Sequence, residues 1–318
     1  MLGRILLFTV CSSLSTVLWK QAAGEPTSCP ALSEHSPQEG SSVCSASDRS
    51  TSDELEARFW KVAKNGDKIF QDPCGFTEEC RISFALYGKN PKYVLGALRN
   101  LELQKMYFPG WVVRIYHDHS VPKEALEALE REGAELILVD SIKGSTAGMF
   151  WRFLVADDPT VDRFIVRDVD SRLGGRERAA VNEWIASGRY GHTIRDHPAH
   201  TDISINGGMW GARHGLIKDM EGMVRAWSQK DAFMEDINFL IDKIWPILET
   251  DVMQHDSYGC TKFTKNTRPF PTRRSRNHEH VGQVFAPDDK YRQGDVDKLV
   301  KWGEAPLECR GREDWTYA

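Results

Sequence analysis

The sequence lacks an excess of charge of either sign, and beyond its first twenty residues it lacks any long apolar run. Its 318 residues carry 41 Lys and Arg against 46 Asp and Glu, which gives a formal net charge of -5. The absence of a strongly positive net charge argues against nucleic acid as a partner. The shortage of apolar runs leaves no later segment that could span a bilayer, because a span needs about 20 apolar residues.

Spacings that mark common metal sites are also missing. No CxxC pair occurs, which argues against a zinc cluster, and no HExxH motif occurs, which argues against a zinc hydrolase. His197 and His200 flank Pro198, which disfavours a helical pair of ligands. We interpret His192, His197 and His200 as strand and loop residues near a cleft. We interpret His278 and His280 as solvated surface residues.

The amino terminus has the pattern of a targeting segment. Arg4 precedes an uncharged, mostly apolar run from Ile5 to Trp19, and Ala22-Ala23-Gly24 follows. Over residues 1–24 this pattern predicts either a cleaved secretory signal peptide or an uncleaved signal anchor. Either alternative sends the rest of the chain into the Golgi lumen, as a type II membrane protein, or outside the cell. Contact with a membrane is expected only through this segment.

Six of the seven cysteines follow the targeting segment, which is an even number in a chain that enters an oxidising compartment. Such a set predicts disulfide bonds. Many connectivities are compatible with six cysteines, so the sequence alone leaves the pairing open. The simplest set of pairs is Cys29–Cys44, Cys74–Cys80 and Cys260–Cys309.

Composition and periodicity divide the rest of the chain into three parts. Residues 25–78 are rich in Ser and Pro and poor in large apolar residues, which predicts a flexible stem. Residues 79–285 form the predicted folded domain, and residues 286–318 a carboxyl-terminal extension. Within the domain, strands predicted at 82–87, 111–116, 136–139 and 163–167 alternate with helices predicted near 93–106, 122–132 and 149–156. The alternation predicts an α/β fold with a mainly parallel sheet flanked by helices.

Two aspartates directly follow the fourth predicted strand. Ligands of parallel sheets bind beyond the carboxyl ends of the strands, which directs attention to Tyr87, to Asp118 and to Asp168 with Asp170. Residues i and i+2 of an extended chain face the same side, so both carboxylates of the Asp168-Val169-Asp170 motif can hold one cation. Hard oxygen ligands suit Mg²⁺ or Mn²⁺ on a phosphate-bearing substrate. The alternative is an ordinary polar turn after a strand.

Two arginines flank this motif. Arg167 precedes it, and Arg172 follows after Ser171. Guanidinium groups form strong charge-assisted hydrogen bonds to phosphate oxygens. The sequence therefore predicts Arg167 and Arg172 as donors to the phosphates of the substrate.

The run from Arg81 to about Asp256 resembles the GT-A glycosyltransferases that carry a DxD motif. The resemblance rests on the opening strand, on Phe150-Trp151-Arg152-Phe153-Leu154, on the segment from Arg167 to Arg172, and on Gly207-Gly208-Met209-Trp210-Gly211. It implies a GT-A-like, Rossmann-related single catalytic domain. It also implies Mn²⁺ or Mg²⁺ held by Asp168 and Asp170, and a UDP- or GDP-sugar donor. The acceptor would be a glycan, a protein or a lipid.

The same resemblance implies roles in donor binding. Tyr87 would lie near the nucleotide base, and Arg152 near the donor. Gly208 and Trp210 would line the sugar pocket, with Trp210 stacked on a sugar face. The alternative for Trp210 is a place in the core beside a β-bulge.

Two further roles follow from the resemblance. Asp236 would face the acceptor or donor sugar, as the general base in an inverting enzyme. The alternative is that Asp236 caps the helix that follows. His255 would be a third metal ligand, although a lone histidine more often only forms hydrogen bonds.

Two functions from different classes remain open. The first is a metal-dependent glycosyltransferase, and the second is a catalytically inactive, secreted carbohydrate-binding homologue that keeps the pocket without turnover. The intact Asp168 and Asp170 favour the enzyme. A nucleotidyltransferase is disfavoured, because Gly88-Lys89-Asn90-Pro91 is shorter than the Gly-rich basic loop usual in that class.

Overall fold

The computed structural model describes residues 59–62, 68–143, 146–228, 230, 232 and 234–317. The targeting segment, Cys29 and Cys44 lie outside these ranges. The chain divides into two compact units, Met1–Gln71 and Asp72–Ala318. In the first unit, strand β1 (Trp60–Val62) pairs antiparallel with strand β2 (Lys68–Phe70), within the segment predicted as a stem.

An eight-stranded sheet forms the centre of the second unit. Its strands are β3 (Cys80–Leu86), β4 (Val112–His117), β5 (Glu135–Leu138), β6 (Arg163–Arg167), β7 (Gly191–Arg195), β8 (Met209–Arg213), β9 (Val252–Asp256) and β10 (Thr267–Arg268). They lie in the order β10-β9-β7-β8-β6-β3-β4-β5. Strand β8 is antiparallel to β6 and β7, and every other pair is parallel. The predicted mainly parallel α/β sheet is confirmed.

Helices connect most of these strands. The α-helices are α1 (Pro91–Tyr107), α2 (Lys123–Arg131), α3 (Gly148–Trp151), α4 (Gly175–Ser187), α5 (Met220–Ala226), α6 (Glu235–Phe239), α7 (Trp245–Leu248) and α8 (Gln293–Trp302). The helix predicted near 149–156 is shorter, because α3 ends at Trp151 and a 3-10 turn covers Leu154–Asp157. None of the helices in the described ranges has both the length and the apolar character that a bilayer crossing requires.

Aromatic side chains fill the space between one face of the sheet and helices α3 and α6. Phe164 of β6 contacts Trp210 of β8 edge to face, with ring centroids 5.4 Å apart, and Phe153 stacks on Phe239 at 6.2 Å. Successive residues of a strand face opposite sides of its sheet. Phe164 and Val166 therefore belong to this cluster, whereas Arg163 lies over the ring of Trp184 in helix α4. The sequence of β6 thus sets which face its last residues point to.

Two of the three simplest disulfide pairs are confirmed. Cys74 is bonded to Cys80, and Cys260 is bonded to Cys309. The second bond closes a separation of 49 residues and attaches the segment after α8 to the chain that follows β9. The second unit therefore includes most of the predicted extension as part of the folded structure.

We expect the Cys260→Ser/Cys309→Ser variant to lose about 2–4 kcal/mol of unfolding free energy, because the bond restricts the unfolded chain. Cys74–Cys80 closes a separation of only 6 residues. In the chain-entropy account, its removal costs less. Denaturant unfolding of both double variants checks this order. A loss at Cys74–Cys80 equal to or larger than that at Cys260–Cys309 contradicts it.

Candidate active site

The two aspartates occupy a tight turn at the carboxyl end of β6. The amide of Ser171 donates to the carbonyl of Asp168 at 3.0 Å, which closes the turn. From helix α1, the buried Asn100 amide donates to the carbonyls of Val169 at 3.2 Å and Ser171 at 2.9 Å. Helix α1 approaches so closely that a Cβ at Gly96 would lie 2.4 Å from the Val169 carbonyl oxygen. Packing with α1 therefore fixes the turn in place.

Arg152 lies between two carboxylates that are far apart in sequence. Its two terminal nitrogens lie 2.6 Å from Asp168 Oδ1 and 2.9 Å from Asp236 Oδ2. The Ser83 hydroxyl of β3 donates to the Arg152 carbonyl at 2.7 Å and so anchors its main chain. Desolvation lowers the pKa of Arg152, but Asp168 and Asp236 together raise it above its ordinary value. The guanidinium therefore stays charged and joins the turn to helix α6.

The glycines before β8 close over the same group. A Cβ at Gly208 would lie 2.2 Å from Asp168 Oδ2, and a Cβ at Gly207 would lie 2.7 Å from both the Arg152 guanidinium and the Asp236 carboxylate. No side chain fits at either position without displacing these groups. The structure thus brings together Arg152, Asp168, Asp236 and Gly208, as the sequence predicted, although their roles stay predictions.

Lys92 is a member of this site that the sequence analysis missed. Its ammonium group lies 2.6 Å from Asp170 Oδ2. Lys92 sits in the first turn of α1, where Asn90 caps the helix by accepting from the Lys92 amide at 3.0 Å. The signal available in the sequence was a lysine directly after an Asn-Pro pair that starts a helix. This helix start comes shortly after the end of a predicted strand, where ligands of such sheets bind.

A cavity of about 300 Å³ opens at the carboxyl ends of β3, β4 and β5. Tyr87 forms part of its wall, and its ring contacts Trp151 edge to face with centroids 5.9 Å apart. Other walls carry hydrogen-bonding groups of several kinds, namely Asp118, His119, Ser120, Asp140 and Lys143. The Tyr87 phenol is a hydrogen-bond donor at neutral pH, and burial raises its pKa further above its ordinary value. The cavity offers both an aromatic surface and polar partners.

Arg167 faces away from this site, and its prediction as a phosphate donor is wrong, whereas the role of Arg172 stays a prediction. Arg167 is buried on the other face of the sheet, where it pairs with Glu177 of α4 and donates to the Trp210 carbonyl at 2.9 Å. Arg172 binds Asp289 at 2.9 Å, and its guanidinium lies 5.0 Å from the centre of the Phe285 ring. Arg167 points to the opposite face because successive residues of an extended strand face opposite sides, and Arg167 directly precedes Asp168.

His255 is not a third ligand of the aspartates. Its ring nitrogens lie 2.9 Å from His192 Nε2 and 2.9 Å from Glu183 Oε2, so both have partners elsewhere. Strand β9 is also three positions from β6 in the sheet, which corresponds to about 14 Å at the usual strand spacing. The order of strands, which local sequence does not reveal, separates His255 from the turn.

Trp210 lies in the core, so the prediction that it stacks on a sugar is wrong. It is fully buried on β8, opposite Val166 of β6, and it contacts Phe153 and Phe164. The Gly207-Gly208 pair lies at the site, and the residues that follow it form strand β8 of the sheet. The alternative reading of Trp210 as a core residue is the correct one.

Three histidines cluster near the carboxyl end of β7. The ring of His197 lies 5.5 Å from that of His200 and 4.6 Å from that of His280. Burial lowers the pKa of His200 to about 3 and that of His280 to about 4. His280 was predicted as solvated surface, which is wrong, because the chain after His278 folds back onto β7.

The sequence matches no protein-family model and no curated protein sequence. Among solved structures, it is similar to glucosyl-3-phosphoglycerate synthase from Mycobacterium tuberculosis in complex with UDP, at 13% identity and a TM-score of 0.38, over 65% of this chain and 74% of that one. It is also similar to a mannosyltransferase from Pyrobaculum calidifontis in complex with GDP-Man and Mn²⁺, at 13% identity and a TM-score of 0.39, over 64% and 59%. At such TM-scores, the site has to be interpreted from its own geometry.

We expect Trp210→Ala to lower the free energy of unfolding by about 3–5 kcal/mol, because it leaves a cavity in the aromatic cluster. The matched control is Trp302→Ala, whose side chain on α8 is 62% exposed and whose loss should change stability by less than about 0.5 kcal/mol. Chemical denaturation of both variants checks the difference. Unchanged stability of Trp210→Ala would contradict the core position and favour the sugar-stacking role that the resemblance implied.

We expect the free energy of unfolding to fall as pH is lowered from about 6.5 towards 5. In that range the unfolded chain protonates its histidines. The folded state keeps His200 and His280 neutral, because their pKa values are about 3 and about 4. The unfolded state therefore binds more protons, and acid favours it. His280→Gln should reduce the slope by up to about 1.4 kcal/mol per pH unit. Denaturant unfolding across pH checks this, with the exposed His214→Gln as control, and an unchanged slope in His280→Gln contradicts it.

Proposed function

We propose that this chain is a metal-dependent glycosyltransferase of the GT-A kind, which transfers a sugar from a nucleoside-diphosphate sugar. The observation that supports it best is the position of Asp168 and Asp170. They directly follow the central strand β6, they contact Arg152 and Lys92, and they lie at the same sheet edge as the Tyr87 cavity. Ligands of such sheets bind at this edge.

The two carboxylates fit a hard divalent cation. Their side chains are 40% exposed for Asp168 and 16% exposed for Asp170, so each is accessible to a ligand. Mg²⁺ is usually held by one or two carboxylates together with substrate phosphates and water, which matches a two-aspartate site. Among the described residues, the one group of three or more adjacent metal-ligand side chains is Cys74, Glu78 and Cys80, and its two sulfurs form a disulfide. We therefore propose Mn²⁺ or Mg²⁺ held by Asp168 and Asp170.

The donor is proposed to span the carboxyl edge of the sheet. Its base would occupy the cavity of about 300 Å³ beside Tyr87, where Asp118 and Ser120 offer hydrogen bonds. Its diphosphate would lie at the aspartate turn. A bound cation supplies Lewis-acid neutralisation of the charge on the leaving diphosphate. UDP and GDP sugars are the donor classes we propose.

Arg152 and Lys92 have two tasks in this proposal. Without a donor, they neutralise Asp168 and Asp170, at 2.6 Å in each case. With a donor, their charges are placed to hydrogen-bond its phosphate oxygens. Asp236 is held by Arg152 and lies beneath Gly207. Its proposed role is to orient the donor or acceptor sugar, as a base in an inverting enzyme.

We also propose that the enzyme works in the secretory pathway on a glycan, protein or lipid acceptor. The basic and then apolar amino terminus supports this location. The bonds Cys74–Cys80 and Cys260–Cys309 support it too, because disulfides persist in oxidising compartments. The alternative is a catalytically inactive, secreted carbohydrate-binding homologue, and turnover separates the two.

We expect a nucleoside diphosphate with Mn²⁺ to raise the free energy of unfolding by about 2.7 kcal/mol at 100 times its dissociation constant, and EDTA to remove the effect. Asp170→Asn should stay folded, because the change keeps the size of the side chain, but it should lose most of this gain. Since the variant also loses its ion pair with Lys92, the gain is measured from each protein's own unliganded stability. Thermal unfolding with UDP, GDP and CDP, each with Mn²⁺, Mg²⁺ or EDTA, checks it.

The matched control is Asp202→Asn, since Asp202 also pairs with a lysine, Lys262 at 2.9 Å, but is 88% exposed and far from β6 in sequence. It should respond like the wild type. A metal-dependent response that is equal in Asp170→Asn and in the wild type overturns the site. Release of UDP from a UDP-sugar distinguishes the enzyme from an inactive homologue, which would bind the donor without releasing the nucleotide.

A further inference from the structure

A second cavity, of about 290 Å³, is lined mainly by basic and aromatic side chains. We call it the arginine pocket, and the residues used below are Arg273, Arg274, Arg276, His278, Trp315 and Tyr317. Three guanidinium groups belong to its lining, and no aspartate or glutamate does. We propose that the arginine pocket binds a sulfate, phosphate or carboxylate group carried by the acceptor. This proposal rests on the transferase function proposed above.

Arg274 forms the fixed floor of the pocket. Its side chain is 2% exposed, and it donates to the carbonyls of Tyr317 at 2.8 Å and Glu279 at 2.9 Å. It also donates to the buried Asp196 at 2.6 Å. Asp196 accepts from Arg176 as well, at 2.9 Å, so one carboxylate serves two guanidinium groups. The Arg274 side chain is therefore held in one position beneath the pocket.

Arg273 and Arg276 supply the accessible charge. Both are exposed, and within the described part of the chain neither has an ion pair or a side-chain hydrogen bond. Asp314, which precedes the lining residue Trp315, pairs with Arg312 at 3.3 Å, and in the described part of the chain Glu279 forms no ion pair with either arginine. Exposed guanidinium groups with free donors are well suited to bind oxyanions in a two-pronged manner.

His278 and the aromatic side chains give the pocket a second feature that indicates a ligand. The Nδ1 atom of His278 is buried and has no hydrogen-bond partner among the described residues, while its ring contacts Tyr317 edge to face at 4.6 Å. A buried polar atom without a partner is costly, and a ligand group satisfies it. Trp315 adds an aromatic surface on which the apolar face of a sugar ring can pack. Charge and aromatic surface together favour an anionic sugar over a bare ion.

The position of the pocket connects it to acceptor binding. Asp196, which binds its floor, directly follows β7, and β7 is parallel to β6 with only β8 between them. The two strand ends are therefore about 10 Å apart. The chain from His278 leads to Phe285, whose amide donates to the Asp170 carbonyl at 2.9 Å, and seven residues span at most about 25 Å. A short oligosaccharide can thus reach from the aspartate turn to the arginine pocket.

The test measures binding of four probes to the whole protein in the absence of metal and nucleotide. The probes are a chondroitin sulfate hexasaccharide, the uncharged chitohexaose, inorganic sulfate and inorganic phosphate. The variant is Arg273→Gln/Arg276→Gln, and the matched control is Arg268→Gln/Arg312→Gln, whose arginines are also exposed and lie outside the pocket. Calorimetric titration gives each dissociation constant.

We expect the charged hexasaccharide to bind more tightly than chitohexaose and than either inorganic ion. The pocket variant should weaken its binding at least about tenfold, the scale of one lost charge-assisted hydrogen bond, and the control less than about twofold. Equal binding by the pocket variant and the wild type overturns the proposal. So does equal affinity for inorganic sulfate or phosphate and the hexasaccharide, since the pocket would then bind free anions. No binding of any charged probe to the wild type overturns it as well.

The nucleotide site is measured separately in the same variants. The pocket variant should keep its stabilisation by UDP or GDP with Mn²⁺, because none of its changes lies at the aspartate turn. If the hexasaccharide binds as expected while no nucleotide binds, the transferase proposal fails and the anion site stands. If the nucleotide binds and the hexasaccharide does not, only the arginine pocket is refuted.

Discussion

The charge of Arg152 between Asp168 and Asp236 is the interaction on which the candidate site depends. Without the guanidinium, two carboxylates and the carbonyl-rich turn would repel each other in a partly buried space. Removing one partner of such a pair leaves an unpaired charge, which is strongly destabilising. The contact of Ser83 with the Arg152 main chain sets where the guanidinium lies. Its position in turn sets the separation of helix α6 from the aspartate turn.

The reversal of β8 completes the arrangement. Because β8 is antiparallel to β6, it begins at the edge where β6 ends. The two glycines that precede it therefore lie directly over Asp168 and Arg152. One strand thus contributes backbone to the site through Gly207 and Gly208 and a core side chain through Trp210. The same reversal lets β6, β7 and β9 end at one edge of the sheet. The Tyr87 cavity lies at this edge, and Asp196 joins the arginine pocket to it.

Local sequence was sufficient for the first half of the fold and for the centre of the site. Strands β3 to β6 and their helices have clear periodicity, and the motif after β6 carries its own chemistry. Arg167 could have been excluded from the sequence, because it must face away from Asp168 on an extended strand. His255 and Trp210 could not have been placed, since the order β9-β7-β8-β6 is set by contacts between distant segments. Lys92 carried a local signal in its Asn-Pro helix start, whereas the arginine pocket depends on the same kind of long-range packing.

The most direct test of the account is a crystal structure of the protein grown with Mn²⁺ and a nucleoside diphosphate, with an anomalous difference map for manganese. The account predicts one peak within about 2.0–2.6 Å of carboxylate oxygens of Asp168 and Asp170, the range for hard cations. It also predicts the base beside Tyr87 and the diphosphate next to Arg152 or Lys92. A manganese peak elsewhere, or a nucleotide bound away from the β6 turn, would contradict it.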